Sequence, residues 1–313
     1  MTFLNKDILV TGGTGLVGSA CKRIMPEARY ISSKEVDLRS LKQTESFVEK
    51  CSPGVILHLA GRVGGLKANS EFLGDFFDDN ILINTHVLQS AKKYNVKKVI
   101  SFLSTCIFPD QAAYPLKESY LHSGEPHESN FAYAYAKRMI EVQSRAYFQQ
   151  HGLEYQCLVP TNIYGPNDNF NLEDGHVAPS LIHKCYLAKQ NNTDFNVWGS
   201  GKPLREFIYS DDIARLSEWA LRNYHEKEPL ILSTSEEVSI KELVLVIADA
   251  VGFKGKIVFD ATKPDGQYRK PTDNSKLLEL RPNFKFTPLE EGIEKSVNWF
   301  IENSWASSAR IRL

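Results

Sequence analysis

The chain has 313 residues, 42% of them hydrophobic and 24% charged, a composition typical of a globular protein of about two domains. Its formal net charge is -1, so electrostatics give no argument for nucleic acid or an anionic membrane as a partner. No apolar run approaches the ~20 residues needed to cross a bilayer. Five scattered cysteines without a CxxC pair argue against a disulfide framework or a metal site, and no secretory segment is recognisable, so we expect a cytoplasmic protein without a metal.

The first predicted strand, residues 6–11, runs directly into a glycine-rich turn and then into a helical pattern that ends before Pro26. This context turns a glycine motif into a prediction of dinucleotide binding. Gly12 and Gly15 would let backbone N–H groups approach a pyrophosphate at the helix N-terminus, and Gly18 would let helix and strand pack closely. A glycine turn without a ligand is the alternative. The predicted cofactor-binding residues here are Gly12, Gly13, Thr14, Gly15, Leu16, Val17 and Gly18.

The second predicted strand, residues 28–31, ends in Ser32, Ser33 and Lys34. Enzymes selective for NAD usually place an acidic residue at this tip to hold the ribose 2′-hydroxyl. Two hydroxyls and a lysine suit a 2′-phosphate better, so Ser33 and Lys34 favour NADP, although the adjacent Glu35 weakens the argument.

A third buried strand pattern, residues 55–60, opens into a second glycine-rich turn at 61–65. His58 lies in the middle of this strand and is interpreted as a core histidine with satisfied hydrogen bonds rather than a catalyst. Asn80 and Asn84 are spaced by four in the helical pattern 79–94, so they share a face, from which one could reach the site.

The fourth strand pattern begins at Val99 and leads into Ser104, Thr105 and Cys106. Ligands of open α/β sheets bind beyond the carboxyl ends of the strands, so these three side chains are predicted to emerge where chemistry takes place. The alternative is that the hydroxyls cap a turn and that the thiol fills a small buried space.

Tyr133 and Lys137 are four residues apart in a helical pattern that reaches about residue 150, so they share a face. A free tyrosine has a pKa near 10 and is a poor acid–base group at neutral pH. We expect the Lys137 ammonium and a positively charged nicotinamide to favour the phenolate. This pair follows a strand-end serine and a glycine motif, and the combination predicts a carbonyl reductase.

The remaining pattern predicts a Rossmann-type, doubly wound parallel α/β sheet with a smaller C-terminal α/β lobe for the substrate. We expect strands at 153–159, 195–198, 206–209 and 256–259, a turn at 161–166, and helices at 178–188, 240–251 and 289–300. The two strands at 195–198 and 206–209 flank a Gly-Pro turn, Ser210 to Asp212 is expected to cap a helix, and Ser239 and Glu242 form a capping box. The predicted domains are 1–164 with a return segment at 206–233, and 165–205 with 234–313.

These residues resemble the extended short-chain dehydrogenase/reductase superfamily, which acts on nucleotide sugars. Within it, the chain is similar from end to end to the 3,5-epimerase-4-reductases of GDP-4-keto-6-deoxy-D-mannose. The resemblance is carried by the motifs at 12–18, 104–109, 160–166, 174–177, 198–201, 205–207 and 263–266, together with Tyr133 and Lys137.

The resemblance implies NADPH as cofactor, a GDP-sugar as substrate and a homodimer formed through helices 79–94 and 133–150. It implies that Ser104, Tyr133 and Lys137 reduce the ketone, and that Cys106 and His176 exchange the protons of epimerisation. It adds Pro160, Thr161, Asn162, Ile163, Lys137 and His176 to the cofactor contacts, and places Lys184, Trp198, Arg205 and Asp265 around the GDP-sugar.

Three rival functions are weaker. A sugar-nucleotide 4,6-dehydratase would carry an acidic pair after the strand-end hydroxyl, where this chain has Cys106 and Ile107. A UDP-sugar 4-epimerase would favour an acidic residue at the tip of the second strand. A catalytically idle NADP-binding regulator would usually lack Tyr133 or Lys137, and both are present.

Overall fold

The computed structural model describes residues 3–173 and 175–307, so Asp174 of the 174–177 motif and the last six residues of the predicted substrate lobe lie outside the described residues. The strands are β1 (Ile8–Thr11), β2 (Arg29–Ile31), β3 (Val55–His58), β4 (Lys98–Phe102), β5 (Glu154–Pro160), β6 (Asn162–Tyr164), β7 (Phe195–Trp198), β8 (Leu204–Tyr209), β9 (Leu230–Leu232), β10 (Glu237–Ser239) and β11 (Ile257–Asp260). The helices are α1 (Leu16–Ile24), α2 (Leu41–Cys51), α3 (Leu66–Glu71), α4 (Leu73–Lys93), α5 (Phe131–His151), α6 (Val177–Asn191), α7 (Ser210–Asn223), α8 (Ile240–Val251), α9 (Ser275–Leu280) and α10 (Leu289–Ser307).

The central sheet has six parallel strands in the order β2-β1-β3-β4-β5-β9, which confirms the predicted fold class. The short apolar runs of β1, β3 and β4 are buried at every position because helices cover both faces of the sheet. One core lies between the sheet and helices α1 and α7, and a second lies under α2, α4 and α5.

Two smaller sheets, β10-β8-β6 and β11-β7, share a third apolar core with helices α6, α8 and α10. The strands that flank the Gly-Pro turn do not pair with each other, because β7 pairs with β11 and β8 pairs with β6 and β10. The predicted turn at 161–166 is wrong for its central residues, since Asn162–Tyr164 forms β6 alongside β8. Local sequence identifies such short strands poorly because their partners are distant in the chain.

The helix ends follow the local signals in part. Ser239 and Glu242 form the predicted capping box of α8, with Glu242 N–H donating to Ser239 Oγ at 3.1 Å. The predicted cap at Ser210 is wrong, because α7 begins at Ser210 itself and its N-cap is Tyr209. Helix α4 begins at Leu73 rather than residue 79, and the short α3 was not predicted.

None of the described helices is long and apolar enough to cross a membrane. Over the same residues, no group of three or more histidine, cysteine, aspartate or glutamate side chains is arranged to hold a metal ion.

Candidate active site

The glycine turn between β1 and α1 lies at the carboxyl end of β1. We call the region beyond the carboxyl ends of the sheet strands, where ligands of this fold bind, the cleft. Gly12 has φ +70°, a backbone conformation that L side chains rarely adopt. Gly13 N–H donates to Ile31 O at 2.8 Å, which joins the turn to the end of β2. Gly15 is the N-cap residue of α1, so the free N–H groups of the first helical turn point into the cleft.

The packing of this turn leaves no room for side chains. A Cβ on Gly13 would lie 2.7 Å from Tyr30 Cβ, and one on Gly18 would overlap the Gly12 carbonyl oxygen. Close approach of helix and strand therefore requires glycine at both positions. The result is a bare backbone surface beside a helix N-terminus, which suits a pyrophosphate.

The tip of β2 presents a hydroxyl and an ammonium to solvent, because Ser33 and Lys34 are both exposed. The carboxylate of Glu35, the residue that weakens the case for NADP, is already engaged in hydrogen bonds. It accepts hydrogen bonds from the Ser32 N–H at 3.0 Å and the Ser32 hydroxyl at 3.2 Å. The unpaired side chains at the tip thus suit a 2′-phosphate.

His58 is a buried core histidine with both ring nitrogens bonded. Its Nδ1 lies 2.8 Å from Thr11 Oγ1 and its Nε2 lies 3.1 Å from Asn84 Oδ1. The Thr11 hydroxyl oxygen also accepts from the backbone N–H groups of Leu59 and Ala60. Burial, reinforced by the Lys137 charge, lowers the pKa of His58 to about 3, so the ring is neutral.

Asn80 fixes the second glycine-rich turn. Its side-chain amide accepts from Arg62 N–H at 3.1 Å and donates to Arg62 O at 2.9 Å. This pins Gly61 against the active-site lysine, since a Cβ on Gly61 would lie 3.2 Å from Lys137 Nζ. The two helix asparagines are therefore positioning residues, Asn80 for the turn and Asn84 for His58.

Tyr133 and Lys137 lie on one buried face of α5, as their spacing predicts. Lys137 Nζ donates to Phe102 O at 3.1 Å and lies 6.0 Å from the centre of the Tyr133 ring. Burial lowers the pKa of Lys137 to about 8.

The expected shift of Tyr133 towards the phenolate, which depends on a bound, positively charged nicotinamide, stays a prediction. Burial, together with the nearby Cys106 thiol, raises the pKa of Tyr133 well above its usual value. Desolvation disfavours the charged phenolate and is the largest cause of this rise. The phenol therefore keeps its proton, which is the form that can donate one.

Ser104, Thr105 and Cys106 emerge at the end of β4, as predicted. They form a short 3-10 turn in which Ser104 is the N-cap, with Cys106 N–H donating to Ser104 Oγ at 3.4 Å. Ser104 thus caps the turn at the carboxyl end of β4. Burial raises the pKa of the Cys106 thiol, while the Ser104 hydroxyl and the Lys270 and Lys137 charges oppose that rise.

The segment from Pro160 to Ile163 joins β5 to β6 beside the cleft. Thr161 N–H donates to Leu232 O at 3.1 Å, and its buried hydroxyl has no hydrogen-bond partner among the described residues. Asn162 Nδ2 donates to Glu206 O at 2.8 Å. An unsatisfied buried hydroxyl at this edge is available to a cofactor.

His176 is the N-cap residue of α6, but its side chain makes no capping hydrogen bond and the residue is exposed. Partial desolvation by the surrounding protein lowers its pKa, so the imidazole is neutral near pH ~7. Interactions within the described part of the chain link Ser104, Cys106, Tyr133 and Lys137 into one cluster, and they do not include His176.

The four predicted substrate residues form a second group around the smaller sheets, with Lys184 on α6 and Asp265 in the loop after β11. Lys184 Nζ lies 4.4 Å above the ring of Trp198, which is 65% exposed. Asp265 accepts from Ser200 N–H at 2.6 Å and from its hydroxyl at 2.7 Å, so it is fixed beside the turn that follows Trp198. Arg205 is close by, since a Cβ on Gly266 would lie 3.8 Å from its Nη2.

Two residues near Cys106 were not predicted from the sequence. Arg138 donates to Ile107 O at 2.6 Å and to Gly124 O at 2.7 Å, which fastens the loop after β4 to α5. The charge of Lys270, from a distant part of the chain, favours a lower pKa of the Cys106 thiol. Arg138 follows Lys137 directly and could have been suspected, whereas no local signal marks Lys270.

A glycine cradle, a strand-end serine and a tyrosine–lysine pair on one helix define a Rossmann-fold oxidoreductase or epimerase of the short-chain type. Residues 8–232 match the model of the NAD dependent epimerase/dehydratase family, and the chain belongs to that family.

Individual relatives narrow the comparison. The chain is 49% identical to the GDP-L-fucose synthase of Dictyostelium discoideum over 96% of this chain and 97% of that protein. It is 34% identical to the GDP-L-fucose synthase of Escherichia coli strain K12, over 95% of this chain and 97% of that protein. A crystal structure of a GDP-L-fucose synthetase from Naegleria fowleri bound to NADP matches this chain with a TM-score of 0.89 and 45% identity. The match covers 95% of this chain and 94% of that chain.

Proposed function

We propose that the protein converts GDP-4-keto-6-deoxy-D-mannose to GDP-L-fucose by epimerisation at C3 and C5, followed by NADPH-dependent reduction of the C4 ketone. The observation that carries this proposal is the cluster in which Cys106 N–H bonds to Ser104 Oγ and the Cys106 thiol interacts electrostatically with Tyr133 and Lys137. A simple carbonyl reductase has no use for that thiol. The full-length similarity to GDP-L-fucose synthases supports the substrate.

NADP fits the cleft. The backbone between Gly12 and Gly18 would hold the pyrophosphate, and Ser33 and Lys34 would hold the 2′-phosphate. The Thr161 hydroxyl would bond to a polar group of the cofactor. The relative from Naegleria fowleri was solved with NADP bound. When bound, NADPH supplies the hydride that reduces the ketone.

Reduction depends on three side chains. Ser104 Oγ holds the C4 carbonyl oxygen by a hydrogen bond, and Tyr133 gives its phenolic proton to that oxygen as the alkoxide forms. The buried phenol keeps its proton until this step because burial raises the pKa of Tyr133. The Lys137 ammonium, fixed by Phe102 O, stabilises the phenolate that remains.

Epimerisation uses the same ketone before reduction. The C4 carbonyl acidifies the C–H bonds at C3 and C5, and the Ser104 and Tyr133 hydroxyls stabilise the enolate oxygen. Inversion then needs a base on one face of the sugar and an acid on the other. We assign this pair to Cys106, at the end of β4, and His176, at the start of α6.

The GDP-sugar is held by the group around Trp198. Lys184 and Arg205 have the charge to bind a diphosphate, and partial burial lowers the pKa of both, as expected for cations that await an anionic partner. Trp198 offers a flat exposed face, and Asp265 retains acceptor lone pairs beyond its bonds to Ser200.

We further propose a cytoplasmic homodimer. Helices α4 and α5 pack against each other and carry exposed apolar side chains that suit a second copy of this chain, the arrangement that the superfamily resemblance implies. All five cysteines are free, which suits a reducing compartment. The exposed apolar residues of α4 and α5 are Phe77, Leu82, Phe131, Met139 and Val142.

The function is tested by mixing the purified protein with NADPH and GDP-4-keto-6-deoxy-D-mannose and following the absorbance of reduced nicotinamide. We expect oxidation of NADPH and a product with the L-fucose configuration. Tyr133→Phe should abolish reduction, and Tyr135→Phe, two residues along the same helix, is the matched control that should retain it. Failure of the wild-type protein to oxidise NADPH would overturn the proposal.

A further inference from the structure

A buried hydrogen-bond chain joins the ends of two neighbouring strands, and its direction can be worked out. Thr11 and His58 are the last residues of β1 and β3 and are paired in register. Thr11 Oγ1 accepts from the backbone N–H groups of Leu59 and Ala60, both at 3.1 Å. A hydroxyl oxygen has two lone pairs and one proton, so Thr11 has only its proton left to give. The acceptor is His58 Nδ1 at 2.8 Å, which is therefore the unprotonated ring nitrogen.

The same direction continues from the histidine to helix α4. The ring is neutral, so its single proton is on Nε2, which donates to Asn84 Oδ1 at 3.1 Å. The opposite tautomer would place an N–H against an oxygen without a free lone pair, and an N–H without an acceptor is costly at a buried position. Thr11, His58 and Asn84 are each 1% exposed. We call these three residues the Thr11–His58–Asn84 chain.

The backbone that this chain holds separates two parts of the proposed active site. A Cβ on Gly12 would lie 2.9 Å from Ala60 N and 3.1 Å from the carbonyl carbon of Leu59, so the glycine turn packs directly on this backbone. A Cβ on the next residue, Gly61, would lie 3.2 Å from Lys137 Nζ. Close contacts therefore lead from the pyrophosphate cradle through this short segment to the active-site lysine.

We propose that the Thr11–His58–Asn84 chain is a positioning device for the cofactor, in which His58, as the Nε2–H tautomer, orients the Thr11 hydroxyl that holds residues 59–61 between the glycine cradle and Lys137. No step of the proposed reaction uses the imidazole, so His58 is a positioning residue. The effect on NADPH rests on the proposed function, whereas the tautomer does not.

The tautomer is measured by NMR of the full-length protein with isotope-labelled histidine, in spectra that correlate ring nitrogens with ring protons. The chain has eight histidines, so the His58 signals are identified by their loss in His58→Gln or, should that variant not fold, by their shift in Thr11→Ser. We expect Nδ1 to have the chemical shift of an unprotonated nitrogen and Nε2 that of a protonated one. A proton on Nδ1 would overturn the proposal.

The positioning role is measured by titration of the Thr11 variants with NADPH. Thr11→Val keeps the shape of the side chain but leaves the N–H groups of Leu59 and Ala60 without their acceptor. We expect the Kd of NADPH to rise about tenfold, because the backbone beside the cradle is no longer fixed. Thr11→Ser keeps the hydroxyl and should restore most of the affinity. The Kd of GDP, which the group around Trp198 is proposed to bind, should stay within about twofold of wild type in both variants.

Ser296→Ala is the control for loss of a buried hydroxyl elsewhere. Ser296 is 1% exposed and donates to Gly292 O at 2.7 Å on α10, and its removal should leave the Kd of NADPH unchanged. A wild-type Kd for NADPH in Thr11→Val, or an equal loss of affinity for NADPH and GDP, would contradict the positioning role. A wild-type protein that bound no NADPH would overturn the proposed function and the cofactor role together, and the spectrum would still decide the tautomer.

Discussion

In the proposed reduction, Tyr133 supplies the proton and Lys137 supplies the charge that stabilises the phenolate. Burial raises the pKa of the phenol and lowers that of the ammonium to about 8, because both charged forms lose hydration. The resting site therefore holds a protonated phenol beside a cation that titrates just above neutrality.

This assignment predicts the pH dependence of reduction. The kcat/KM for ketone reduction should fall as pH rises through about 8, because loss of the Lys137 proton removes the charge that stabilises the phenolate. The measurement is NADPH oxidation in a Cys106→Ser background, where the thiol cannot contribute a titration. Lys137→Arg retains its charge to much higher pH and should move the descending limb upward. A limb that stays in place in Lys137→Arg would contradict this role.

Local sequence signals were sufficient to predict the parts of the site whose residues lie close together in the chain. The glycine turn, the strand-end Ser104 and the four-residue spacing of Tyr133 and Lys137 are all confirmed in position, because each is fixed by a single strand–turn–helix segment. The contact between Glu206 and Thr272 could not be predicted, since it joins residues that are 66 positions apart in the chain.

At the scale of elements, α1 packs closely against the glycine turn that follows β1. Gly18 lies on the buried face of α1, directly against the backbone of Gly12 and Gly13. Any side chain there must push the helix N-terminus away from the turn.

Gly18→Ala should therefore destabilise the protein by about 1–3 kcal/mol through overpacking and weaken NADPH binding by about tenfold or more. Gly74→Ala is the matched control, because a Cβ at Gly74 meets nothing within 4 Å. That variant should bind NADPH normally and change stability by less than about 1 kcal/mol. Urea unfolding and fluorescence titration with NADPH measure both effects, and equal behaviour of the two variants would refute the packing argument.

At the scale of the whole molecule, we propose that residues 1–164 and 206–233 form the cofactor domain and that 165–205 and 234–313 form the substrate lobe. The sheet order supports this division, because β9 returns to the six-stranded sheet while β7 and β11 form a separate pair. The substrate lobe meets the loop after β4 at the β-bridge between Leu116 and Thr272.

For the proposed dimer, light scattering should give twice the mass of one chain, which is 35.4 kDa. A Leu82→Glu, Val142→Glu double variant places charges on the exposed face of α4 and α5 and should be monomeric. Leu245→Glu, on the exposed side of α8, is the control and should remain dimeric. A wild-type protein that scatters as a single chain would exclude this assembly.

The central claim is that one cluster performs both proton exchange and reduction, and the position of solvent deuterium in the product tests it most directly. The wild-type protein, supplied with NADPH and GDP-4-keto-6-deoxy-D-mannose in deuterium oxide, should give GDP-L-fucose with deuterium at C3 and C5 by NMR. Cys106→Ser should still oxidise NADPH but yield a reduced product without the fucose configuration. Formation of GDP-L-fucose by Cys106→Ser at the wild-type rate, or a wild-type product with hydrogen retained at both carbons, would contradict the account.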